Sequence, residues 1–137
     1  MSRLPSEQRE KMLDLAYEAM RKAYTPYSHF QVGACLLGAS GTYYLGCNIE
    51  NASYTPTNCA ERTAIFKAVS EGEHSFRGIV IVCSGKKPAA PCGVCRQVLR
   101  EFCADDMPVV FADSERRYTE STLGELLPHS FGPEDLL

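Results

Sequence analysis

The amino-acid sequence predicts an α/β domain with a mixed sheet of roughly five strands. Three observations carry that expectation. An amphipathic helical stripe opens the chain, a hairpin signature follows it, and the remainder alternates helical segments with short apolar extended ones.

Met12, Leu15, Ala16, Ala19, Met20 and Ala23 recur at helical spacing and predict a helix over 7–23. Ser6 is placed to cap its start. Pro26 ends the helical stretch, because the residue before a proline avoids helical geometry. Strands are expected over 32–39 and 43–49, joined by a tight turn at Ser40-Gly41. A helix over 60–69 should stop near Gly72. The run 78–83 is almost wholly apolar, as in a strand covered on both faces. Residues 93–102 fit another helix, with Val94, Val98 and Phe102 on one stripe. A short apolar strand follows over 108–112, then a candidate edge strand over 117–120. Thr122 and Glu125 form a capping-box pattern that opens a short last helix. The order is α-β-β-α-β-α-β-(β)-α, with an antiparallel first hairpin and parallel later crossovers. No repeat, low-complexity tract or linker divides the chain, so 1–137 reads as a single domain.

With 45% hydrophobic and 23% charged residues, the composition is that of a soluble globular protein. The net charge of −3 gives no basic face for nucleic acid and favours a small-molecule substrate over a polynucleotide. No apolar run is long enough to cross a membrane, and the opening Met1-Ser2-Arg3-Leu4-Pro5 lacks the apolar stretch of a secretion signal. Seven cysteines, an odd number, then point to a reducing, cytoplasmic setting with thiols bound to metal or buried. Cys35, Cys47, Cys83 and Cys103 each sit among apolar residues and are expected to be small core side chains.

The chemistry lies in the other three. Cys59-Ala60-Glu61 is followed by Pro91-Cys92-Gly93-Val94-Cys95. Three thiolates can hold Zn2+ and leave its fourth tetrahedral position for water. Glu61 can then carry protons to and from that water. This arrangement, with a carboxylate that is not a ligand, resembles that of zinc nucleobase deaminases. Cys92 and Cys95 share one helical face, and both thiol groups fall where a helix begins, so the helix dipoles favour thiolate. Glu61 and Cys59 lie roughly 200° apart on a helix. Both reach one site only if Cys59 occupies the cap, where the chain is not yet helical. Three thiolates and one zinc leave a net negative centre, and Arg62 is the nearest cation able to donate to sulfur and offset it. A closed structural zinc site would need a fourth ligand. His29, His74 and His129 have no ligand spacing to the cysteines.

On these motifs the chain resembles the small, homotetrameric class of cytidine deaminases. The resemblance also rests on Tyr27-Ser28-His29-Phe30, Gly46-Cys47-Asn48-Ile49-Glu50-Asn51-Ala52, Arg96-Gln97 and Phe131-Gly132-Pro133-Glu134, and it spans nearly the whole sequence. It implies a three-layer α-β-α fold. It implies zinc-dependent hydrolysis of cytidine and 2′-deoxycytidine in pyrimidine salvage, with zinc on Cys59, Cys92 and Cys95 and Glu61 moving protons. Phe30 is expected against the pyrimidine, Asn48 and Glu50 on the ribose hydroxyls, and the Ala60 N–H on the base carbonyl. Ala52, Tyr54 and Phe131 are expected to complete a neighbouring subunit's pocket. Two readings stand beside this one: a deaminase of another cytosine-bearing small molecule, such as blasticidin S, and a zinc-stabilised RNA-binding or editing module. The Phe30, Asn48 and Glu50 set argues against the first, and the acidic charge against the second.

Overall fold

Runs of buried β-branched and aliphatic residues build a sheet that is apolar on both faces and must be covered on both. The computed structural model describes residues 3–137, so Met1 and Ser2, where the absence of a secretion signal was read, lie outside the described residues. Five strands, β1 (Val32–Gly38), β2 (Tyr43–Cys47), β3 (Phe76–Cys83), β4 (Pro108–Ala112) and β5 (Tyr118–Thr122), form one sheet in the order β2-β1-β3-β4-β5. The helices are α1 (Ser6–Met20), α2 (Ala60–Ser70), α3 (Gly93–Phe102) and the short α4 (Leu123–Leu126); a 3₁₀ turn, Pro133–Asp135, follows near the C-terminus. β1 is antiparallel to β2 and to β3, β3 is parallel to β4, and β4 is antiparallel to β5. The connection from β2 to β3 therefore steps across β1, and only the β3-α3-β4 crossover joins adjacent parallel strands.

Period-two alternation sorts the strand residues between two cores. Ala34, Leu36, Ile79, Ile81 and Val109 face a core shared with Ala64, Ile65 and Ala68 of α2, Leu99 of α3 and Leu123 of α4. Cys35, Leu37, Val80, Val82 and Val110 face Met12, Leu13 and Ala16 of α1. The fold is thus three-layered, with α1 on one side and the helices that carry the thiols on the other.

Several sequence expectations shift at element ends. Pro5 occupies the cap of α1 and no side chain caps it, so Ser6 is the first helical residue rather than the cap. The helix stops at Met20, not residue 23. Lys22 and Ala23 donate to Ala19 and Met20 in tight i→i−3 turns, and Tyr24 leaves to bridge Ile49. β2 ends at Cys47 because Ile49 also bridges Asn58, which draws residues 48–50 off the sheet edge. β3 starts two residues earlier than expected, at Phe76. β5 runs to Thr122, whose side chain closes a complete capping box with Glu125. Cys35, Cys83 and Cys103 are buried as expected, but Cys47 is only half-buried, since it ends an edge strand. No described helix is long and apolar enough to cross a membrane.

One close approach fixes the distance between the sheet and the thiol-bearing helix. A Cβ on Gly46 would lie 2.3 Å from the Ala60 carbonyl oxygen and 2.6 Å from the Ala64 amide nitrogen. Both obstacles are α2 backbone, which cannot swing aside. Gly46→Ala is expected to displace α2, lower stability by about 1–3 kcal/mol in urea unfolding and weaken zinc retention. Unchanged stability and zinc content would remove this contact from the account.

Candidate active site

The two sulfur-bearing turns meet because α2 and α3 begin side by side on one face of the sheet. Cys59 caps α2 in extended geometry, at φ −78° and ψ 157°, and Cys92 caps α3 at φ −66° and ψ 165°. Each residue is thus non-helical while its successors turn, which brings Cys59 and Glu61 to one locality. The Cys92 sulfur accepts from the Cys95 amide at 3.4 Å. Cys59 Sγ and Cys92 Sγ lie 3.9 Å apart, and all three sulfurs fall within 4.8 Å of one another. A tetrahedral zinc with Zn–S bonds of about 2.3 Å requires sulfurs roughly 3.8 Å apart. The three thiols therefore fit zinc, and no histidine joins them.

Arg62 Nη2 donates to Cys59 Sγ at 3.1 Å, as its position one turn further along α2 allows. The neighbouring Cys95 thiol, together with the Arg62 guanidinium, holds Cys59 well below the usual thiol range. Arg62 Nε is the one buried polar side-chain atom without a partner among the described residues.

Glu61 is 4% exposed. Burial pushes its carboxyl up to about 7, and charge on the nearby Cys59 adds to the rise. A group poised near neutrality can both take and give a proton.

Asn48 and Glu50 organise the loop that carries Phe30. The Asn48 side chain accepts from the Val32 amide at 2.9 Å and donates to the Phe30 carbonyl at 2.8 Å. Glu50 Oε1 accepts from the Tyr27 and Ser28 amides at 3.0 and 3.1 Å, while Oε2 takes the Ser28 hydroxyl. The Ser28 hydrogen bonds, the hydroxyl's above all, hold the Glu50 carboxyl below its ordinary range. His29 adopts a left-handed φ of 59° between Ser28 and Phe30.

A cavity of about 370 Å³ is lined by Tyr27, Ser28, Glu50, Asn51, Tyr54 and Thr57. The Tyr27 and Tyr54 rings meet edge-on at 6.3 Å. Tyr27, Ser28, Asn51 and Thr57 have no role assigned from the sequence; Tyr27 and Ser28 stand in the same short motif as Phe30, and Asn51 in that of Asn48 and Glu50. Ala60 opens α2, so its N–H has no intrahelical acceptor. Ala52 and Tyr54 lie exposed on the loop before Cys59 and Phe131 lies exposed on the C-terminal segment; Glu50 and Tyr54 line this cavity, whereas Phe30, Asn48, Ala52 and Phe131 do not.

An α/β/α scaffold that holds three thiols and a buried carboxylate at paired helix N-termini defines a zinc-dependent hydrolase of the deaminase type. The family described as the cytidine and deoxycytidylate deaminase zinc-binding region matches residues 6–111. Cytidine deaminase of Sporosarcina psychrophila is 50% identical over 93% of this chain and 93% of its own length. That of Halalkalibacterium halodurans is 48% identical over 93% and 97%. The crystal structure of cytidine deaminase from Burkholderia pseudomallei superposes with a TM-score of 0.86 at 42% identity, covering 89% of this chain and 98% of that one. The chain belongs to the cytidine and deoxycytidylate deaminase family, zinc enzymes that hydrolyse cytosine nucleosides.

Proposed function

We propose that the protein is a cytoplasmic cytidine deaminase of pyrimidine salvage, converting cytidine and 2′-deoxycytidine with water to the corresponding uridines and ammonia. The observation that carries this reading is the buried Glu61 beside three sulfurs that converge within 4.8 Å. Zinc held by Cys59, Cys92 and Cys95 supplies a Lewis acid that lowers the pKa of water.

Glu61 accepts a proton from the attacking water and passes it to N3 of the ring. The water oxygen bonds to C4, which becomes tetrahedral. Glu61 then moves the remaining hydroxyl proton to the amino group, the C4–N bond breaks, ammonia leaves and a C4 carbonyl remains. The Ala60 N–H holds the base carbonyl, and Phe30 packs on the pyrimidine. Asn48 and Glu50 grip the sugar, so binding energy remote from C4 orients the base. Arg62 offsets the negative charge of the sulfurs.

Glu50→Gln is expected to raise KM about 10-fold or more, since hydrogen bonds to a charged group are each stabilising by about 1.5–3 kcal/mol, with a smaller effect on kcat. Because the Glu50 carboxyl sits below its ordinary value, it stays ionised until the pH falls through that depressed value. The wild-type KM should therefore stay flat from neutrality down to the ordinary Glu value of about 4.3 and climb only below it. A KM that rises between neutrality and that point would contradict the assignment.

A homotetramer fits the apolar side chains that a lone protomer leaves in water: Phe66 is 48% exposed, Val94 58%, Tyr54 71% and Phe131 58%. Phe66 and Val94 border a shallow cavity of about 570 Å³ between α2 and α3. Neighbouring copies burying these faces bring Ala52, Tyr54 and Phe131 to one another's pockets. Sedimentation combined with a substrate panel of cytidine, 2′-deoxycytidine, cytidylate, blasticidin S and single-stranded RNA tests the whole reading. Four-chain particles that deaminate only the two nucleosides are expected. Turnover of blasticidin S alone, or salt-sensitive tight RNA binding, would replace it.

A further inference from the structure

The N-terminal end of α3 supplies Cys92 and Cys95, yet three more side chains of the same helix reach toward the C-terminal segment. Arg96 Nε donates to the Pro91 carbonyl and Nη1 to the Leu126 carbonyl, both at 2.7 Å. Pro91 is buried and directly precedes Cys92. One rigid guanidinium thus spans the turn that aims Cys92 and the end of α4. Lysine cannot reproduce that fork.

One residue on, Gln97 Nε2 donates to the Phe131 carbonyl at 3.0 Å. One turn on, Arg100 Nε donates to Ser130 Oγ at 2.7 Å and its Nη2 pairs with Glu134. A Cβ on Gly132 would lie 2.4 Å from Arg100 Cζ, so the guanidinium rests on bare backbone there. The segment's own 3₁₀ turn is closed by the Gly132 amide donating to Asp135 at 2.8 Å.

We propose that Arg96 is a positioning residue that couples zinc retention to docking of the C-terminal segment 126–136, and that Arg100 acts on the metal site through that segment. The proposal rests on zinc being held by Cys59, Cys92 and Cys95. Coupling of this kind is reciprocal. Loosening the segment frees the Pro91-Cys92 turn, and removing zinc loosens the segment.

The test measures zinc release from the intact holo-protein to a chromogenic chelator. Arg96→Ala should release zinc about 10–100-fold faster, the range for loss of a group supporting a ligand. Arg96→Lys should rescue little of this. Arg100→Ala, which touches no thiol, should release zinc at least about 5-fold faster. Leu13→Ala, a destabilising change on the opposite sheet face, should leave the rate unaltered and so separates coupling from general loosening. Hydrogen exchange on the wild-type protein needs no variant: the Gly132 and Leu136 amides should exchange faster once zinc is removed. Unchanged release in Arg100→Ala, or unchanged exchange on zinc removal, overturns the coupling alone. Failure of the wild-type protein to take up zinc at all overturns the zinc reading and the proposal with it.

Discussion

Glu61→Gln should lower kcat on cytidine by about 10²–10⁴-fold, the range over which a positioned acid–base group accelerates proton transfer, while zinc content and fold stay as they are. Glutamine keeps the shape of the buried side chain and can still hydrogen-bond, but it cannot accept the water proton, deliver one to N3 or carry one to the departing amine. The proposed mechanism puts all three transfers on one group, because Glu61 is a carboxylic acid buried beside Cys59 and burial holds it near neutrality. KM should change far less than kcat, since the missing interaction belongs to the transition state. Stability should rise slightly in neutral solution, because a buried carboxyl that resists ionisation is replaced by a neutral amide. A variant with wild-type kcat would remove Glu61 from the chemistry.

Cys59→Ala should abolish both metal and activity. Two sulfurs remain on α3, but an alanine at the cap of α2 takes away the ligand that joins the two helices across the site. The loss in affinity should exceed the ~10–100-fold that accompanies loss of a supporting hydrogen bond, leaving the purified protein nearly free of zinc. It also strips Arg62 Nη2 of its sulfur acceptor, in a side chain whose Nε is already buried without a partner. Thermal stability should therefore fall in the variant by more than chelation alone lowers it in the wild type, a difference that calorimetry resolves. Full zinc occupancy in Cys59→Ala would place the metal elsewhere.

The fold and the metal group were legible in the sequence for a physical reason. Helical and extended apolar periods differ, and Cys59, Cys92 and Cys95 carry their spacing in the chain itself. Even the non-helical geometry of Cys59 followed from rotation along a helix, since Glu61 could share its site in no other way. What stayed hidden depends on meetings between segments distant in sequence. Nothing local marks Gly46 as the point where α2 backbone touches β2. Nor does anything show that the amide of Asn48 is engaged by the backbone of residues 30 and 32, or that Ser28 braces Glu50. Arg96 stands in the sequence only as part of the Arg96-Gln97 motif, and its bonds to the Pro91 and Leu126 carbonyls appear only in the fold. The ends of α1 and β2 moved for a similar reason: Ile49 bridges both Tyr24 and Asn58 through tertiary contacts that outweigh the local pattern.

The central claim is that this chain deaminates cytidine with zinc on three cysteines and Glu61 as the proton carrier. It is tested most directly by following the ultraviolet band of cytidine in the presence of purified protein, with zinc quantified in the same sample. Loss of the cytidine band with stoichiometric zinc, and its persistence with equally zinc-loaded Glu61→Gln, is the predicted result. A fully zinc-loaded wild-type protein that leaves the cytidine band unchanged would contradict it.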